Sequence, residues 1–81
     1  MADSKFEFKI IREVAVLSTS SRGWNRELNV VAWNKGKPKW EIRDWAPNHE
    51  RAGKGIGLSS EEVAVLKEVL EDVDPYSISE D

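Results

Sequence analysis

Hydrophobic and polar positions alternate from the start of the chain. Phe6, Phe8 and Ile10 fall on one side and Glu7 and Lys9 on the other, the period of two that marks a half-buried strand. Arg12-Glu13 interrupts the pattern and Val14 to Leu17 resumes it, which is read as one bent strand or two short ones. Ser18 to Gly23 is rich in turn formers. Glu27 to Trp33 favours a strand and runs into Asn34-Lys35-Gly36-Lys37-Pro38, a hairpin signal with Gly and Pro. The next strand, Lys39 to Trp45, sets Lys39, Glu41, Arg43 and Trp45 on one face and Trp40, Ile42 and Asp44 on the other. After a loop from Ala46 to Gly53, Lys54 to Leu58 predicts a short final strand.

The pattern then changes period. Ser59 and Glu62 have capping-box spacing, and Leu58 and Val63 stand where a hydrophobic staple would close. The spacing predicts a helix over Ser60–Val73, stopped by Asp74-Pro75. Val63, Val65, Leu66, Val69, Leu70 and Val73 fill an arc of roughly 160°, wider than the ~100° stripe of an ordinary surface helix. One edge of that arc covers the sheet and the other needs a partner, which makes Val65, Leu66, Val69, Leu70 and Val73 the expected dimer contact. The expected fold class is therefore α+β: a four-stranded antiparallel sheet followed by one carboxy-terminal helix, ββββα. Residues 1–5 read as an amino-terminal extension, 6–73 as one domain, and 74–81 as an acidic, disordered tail.

Composition sharpens this picture. Eighty-one residues without cysteine form one small domain with no disulfide and no Cys/His zinc set to support it. A domain of this size buries only about 60% of its unfolded surface, so association with a second copy is the remaining common device. No stretch approaches the roughly 18 apolar residues of a membrane span, and the amino terminus lacks a signal-peptide pattern. The expectation is a soluble, cytoplasmic protein, with association with the nucleoid compatible with its charge.

The net charge of −3 conceals a strong asymmetry. Residues 5–54 hold eleven of the twelve Lys/Arg and six of the fifteen Asp/Glu, whereas residues 55–81 hold one Lys and eight acids. All four tryptophans lie in the basic part: Trp24, Trp33, Trp40 and Trp45, interleaved with Arg22, Arg26, Lys35, Lys37, Lys39 and Arg43. Flat rings among cations suit unpaired nucleic acid, with rings for bases and charges for phosphates. Trp45, on the face of Arg43 and Lys39, and Trp33, beside the lysine-rich turn, are the expected base platforms. Trp40 shares a face with Ile42 and is expected in the core. Trp24, between Arg22 and Arg26, either contacts ligand or caps a sheet edge.

Catalysis finds little footing. Gly53-Lys54-Gly55-Ile56-Gly57 lacks phosphate-loop spacing, and its glycines are read as permitting a bulge and close backbone approach. His49, the single histidine, is read as a solvated loop residue, and Glu61-Glu62 as helix capping. No metal-ligand spacing, paired carboxylates or Ser/His/Asp set stands out, so no enzyme, metal or cofactor is expected.

Trp40–Trp45 (W-E-I-R-D-W), Lys54–Ser59 (K-G-I-G-L-S) and the E-E-V-A-V-L-K helix that follows resemble the transcriptional coactivator family named for positive cofactor four. The likeness is to its bacterial, YdbC-like, single-stranded-DNA-binding branch. It extends over most of the chain from Phe6 onward and is looser before Trp33. The resemblance implies a ββββα subunit that dimerises through its helix and presents curved sheets to unpaired DNA without sequence preference. On this resemblance Trp33, the hairpin lysines Lys35, Lys37 and Lys39, Arg43, Trp45 and Lys54 match binding positions. One departure is Ala46, where the eukaryotic pattern has a second aromatic; Trp24 is the candidate to replace it. The Ser-rich amino-terminal region of the eukaryotic coactivator is also absent. The expected partners are single-stranded DNA, with RNA as the alternative, and a second copy of the chain. A protein-interaction module using the same aromatics is the rival reading.

Overall fold

A computed structural model describes residues 7–79, so Phe6 and the extension over 1–5 lie outside the described residues. Four strands, β1 (Phe8–Thr19), β2 (Asn25–Trp33), β3 (Lys39–Trp45) and β4 (Ala52–Leu58), precede one helix, α1 (Ser60–Leu70). The strands form a single antiparallel sheet in the order β1-β2-β3-β4, each pairing with its neighbour in sequence. The expected ββββα order is thus present.

The bent first segment is one strand. Its register against β2 skips Ile11, Val14 and Leu17, giving three bulges at three-residue intervals. Bulges bend the strand and raise its twist. The amide freed at Val14 is received by Asn29 Oδ1 at 3.2 Å, so the irregularity leaves no orphaned donor there. Between β2 and β3, Asn34 and Lys35 both take positive φ, 52° and 65°. Gly36 N donates to Trp33 O at 2.7 Å, which closes the type I′ turn favoured in hairpins. Any Cβ on Gly36 would lie 2.9 Å from that carbonyl.

Curvature decides where the core sits. Trp33 and Trp45 belong to opposite ends of the β2–β3 ladder, a contour of about 26 Å at 3.3 Å per residue. Their rings nevertheless lie 6.3 Å apart and nearly parallel, and Phe8 of β1 reaches both, at 5.5 and 4.9 Å. Only a strongly curled sheet brings these groups together. Its concave face buries Val31 and Trp45 (0% and 1% exposed) together with Asn29, Glu27 and Glu41.

The expected burial of the two tryptophans on β3 is therefore corrected. The alternation is as read, but the face of Trp45 is the inside. Trp45 offers no open ring face, whereas Trp40, expected in the core, is only half-buried. The physical reason is that the inward charges neutralise one another, so a charged face closes around an aromatic centre. Trp45 Nε1 is the one buried side-chain donor without a partner among the described residues.

Ser59 caps α1: its Oγ accepts from Glu62 N at 3.0 Å, and Glu62 Oε1 accepts from Ser59 N at 2.9 Å. The helix packs on β3 but ends at Leu70, earlier than expected. Val73 therefore lies beyond it, just after the turn of Glu71 and Asp72. Asp74 opens a further turn, accepting from Tyr76 N and Ser77 N, each at 3.0 Å.

The burial of Trp45 makes it a stability residue. Trp45→Ala should cost about 3–5 kcal/mol in urea unfolding. Trp45→Phe, which removes the unpartnered donor along with some volume, should cost distinctly less; equal losses would count against this packing.

Candidate nucleic-acid interface

The sequence-predicted binding residues separate into two groups at opposite ends of β2. One surrounds the β1–β2 loop. Ser20 Oγ accepts from Arg22 N and Trp24 N at 3.3 and 3.2 Å, while Ser20 N donates to Trp24 O at 2.8 Å. This ST-type closure fixes the half-buried Trp24 at the sheet edge. An open groove of about 460 Å³ adjoins it, lined by Arg22, Trp24, Arg26, Asp44 and the hydroxyls of Ser18 to Ser20. The Arg26 fork donates from Nε and Nη2 to Asp44 Oδ1 and Oδ2, at 2.8 and 3.3 Å. These hydrogen bonds hold the Asp44 carboxyl below its ordinary value, with Lys54 adding to the effect.

Arg51 also belongs here, its guanidinium carbon 6.0 Å from the Trp24 ring centre, within cation–π range. Sequence reading missed it, because only folding brings the β3–β4 loop beside Trp24. That loop is pinned from below. Ala46 to His49 form a tight turn, with Pro47 first and Asn48 at φ 59°, and His49 N donates to Ala46 O at 2.9 Å. His49, also at positive φ, points Nε2 to the two oxygens of Glu27 at 2.9 and 3.1 Å. Its ring meets Trp45 edge-on at 5.2 Å. His49 is thus a structural tether and not the solvated loop residue expected.

The second group is the β2–β3 hairpin, where Lys35, Lys37 and Lys39 are fully exposed. Trp33 is half-buried beside them, with Arg43 over its ring at 4.9 Å and its Nε1 donating to Glu41 Oε2 at 2.6 Å. Arg43 lies between the two groups and inside the curl. It donates from Nε and Nη2 to Glu41 at 2.8 and 3.1 Å, and from Nη1 to Gly53 O at 2.8 Å. Gly55 permits this, because a Cβ there would lie 2.7 Å from the guanidinium. The charge of Arg43 is therefore compensated within the protomer, whereas those of Lys35, Lys37, Lys39 and Lys54 face solvent. Of the helix residues, Val65, Leu66, Val69 and Leu70 are exposed, as is Val73 beyond it.

The arrangement defines a class: a small curled-sheet protein whose rim carries exposed cations around aromatic rings. Comparison with known proteins agrees. The family model described as Transcriptional Coactivator p15 (PC4) matches residues 20–69, and an uncharacterized protein of Treponema pallidum (strain Nichols) is 35% identical over 78 residues, covering 94% of this chain and 92% of that protein. The chain belongs to the PC4 family, a family of nucleic-acid-binding, non-enzymatic proteins. Among the described residues, no helix is long and apolar enough to cross a membrane.

Burial alone would raise the Glu27 carboxyl. Hydrogen bonds from Asn29, His49 and Asn25, together with the charge of His49, outweigh it, and the group lies below its ordinary value. A depressed carboxyl stabilises the fold at pH above its unfolded value, about 4.3, and that contribution fades as pH falls through the folded value. Glu27→Gln should therefore lower stability at pH 7 and flatten the acid limb of a stability–pH curve below about pH 4.3. An unchanged limb would show that Glu27 is not held as described.

Proposed function

We propose that this protein binds single-stranded DNA without sequence preference, as a homodimer. The observation that carries the reading is the placement of exposed cations beside half-buried tryptophans at both ends of β2: Arg22, Arg26 and Arg51 around Trp24, and Lys35, Lys37 and Lys39 beside Trp33. A ligand that touches both groups must be a chain of several charged units. Phosphates meet the cations with release of counterions, and unpaired bases stack on the rings. Trp45 takes no part, and Arg43 acts chiefly by orienting Trp33. Assembly through α1 is supported by its apolar arc, with Leu70 60% exposed in the isolated protomer. The rim chemistry serves transcription, replication or repair equally.

Binding of a 20-nucleotide oligo-dT should quench tryptophan emission, and log affinity should fall linearly with log salt. Trp24→Ala should cost about 1–3 kcal/mol of binding with the salt slope nearly unchanged, whereas Lys37→Ala should reduce the slope by up to about one unit. Oligo-rU of the same length tests RNA as the ligand. Duplex binding as tight as single strand, or no binding at low salt, would favour a protein-interaction module instead.

Sedimentation at tens of micromolar should give a dimer. Leu66→Asp should yield monomer or unfolded chain, and a wild-type monomer would refute assembly through α1.

A further inference from the structure

We propose that Asp44 is the internal occupant of a phosphate subsite: in the free protein its carboxylate fills the Arg26 fork, and a backbone phosphate of the bound strand takes its place. This rests on the single-strand reading above and adds a built-in competitor to it.

Two Arg–carboxylate pairs make the contrast, one within β3 and one joining β2 to β3. Arg43 and Glu41 are closed off, with side chains 20% and 6% exposed, and Arg43 has a further anchor on Gly53 O. Their separation would strand a buried carboxylate, which is costly. Arg26 and Asp44 are open, at 59% and 32%, and among the described residues Arg26 has no hydrogen-bond partner other than Asp44. The Nε/Nη2 edge that Asp44 occupies is the edge a phosphate engages with two parallel hydrogen bonds. Exposed pairs of this kind are weak and screened by salt, so a ligand held at neighbouring points can displace one.

The surroundings fit the exchange. Asp44 is the only acid among the residues lining the groove, beside Arg22, the Trp24 ring and the hydroxyls of Ser18, Thr19 and Ser20. A nucleotide seated there has a ring to stack on and a fork for its phosphate. Lys54 is close enough to act on the Asp44 charge, so the displaced carboxylate keeps a cation nearby. Asp44 thereby sets a threshold: an isolated anion must outcompete it unaided, while a strand held at the hairpin lysines does so as one step of multipoint binding.

The test compares wild type with Asp44→Asn in oligo-dT titrations across salt concentrations, with Glu71→Gln on the exposed helix end as a control for loss of one negative charge. Asp44→Asn should tighten binding about 3- to 10-fold at low salt and steepen the salt slope by up to about one unit. Glu71→Gln should change affinity less than about twofold. In an Arg26→Ala background the gain from Asp44→Asn should vanish. Wild-type binding with Asp44→Asn no tighter than Glu71→Gln, or a gain that survives without Arg26, would overturn the subsite alone. Absence of binding by all variants would overturn the single-strand reading and the subsite with it. Asp44→Ser serves as a second variant, read by the same criteria, should the Asn protein melt earlier than wild type.

Discussion

Two carboxylates at the floor of the curled sheet govern the rest of the structure. Glu27 and Glu41 are nearly inaccessible, and a charge so placed is tolerated only where donors surround it. Asn25, Asn29 and His49 serve Glu27; Trp33 and Arg43 serve Glu41. Meeting those demands sets the geometry outward. His49 turns the β3–β4 loop back toward the sheet and so brings Arg51 to Trp24, while Arg43 reaches across a glycine strand and lies on Trp33. The interior is thus a polar network wrapped in aromatic rings, and its saturation decides which cations remain free on the rim.

Two kinds of arginine result. Arg43 is internal, held by three hydrogen bonds and laid against the Trp33 ring. Arg26 is external, held by a single neighbour. Basic residues that look equivalent along the chain differ in this way because their partners lie on other strands. Glu41 and Arg43 share one face of β3, whereas Asp44, one residue further on, faces the other way toward Arg26.

Much of the fold was legible in the sequence. The bounds of β3, the capping box at Ser59 and the strands-then-helix order follow from local signals that the tertiary structure does not override. The sheet face was not, because alternation reports two faces without saying which is concave. The usual guide, apolar side inward, failed here since the inner side carries Glu27, Glu41 and Arg43, whose compensation depends on partners far apart in sequence. Trp45 lies inside, and Trp40 is only half-buried, for that reason. Val73 fell outside the helix because α1 ends a turn before Pro75, and His49 gained its partner only through the left-handed backbone of its own loop. Arg22, Trp24 and Arg26 were legible as a cluster because they are close neighbours in sequence, but Arg51 was not.

The three bulges of β1 have a consequence beyond curvature. β1 is an edge strand, and an edge normally offers a continuous row of amides and carbonyls to any extended chain that meets it. Here the row is broken after every second paired residue, at Ile11, Val14 and Leu17. The apolar side chains exposed at those breaks would otherwise make the segment a template for stacking with its own kind. A straight incoming strand cannot keep register for more than two residues at a time, so the same irregularity that closes the sheet around Trp45 also guards the protein against fibrous self-association.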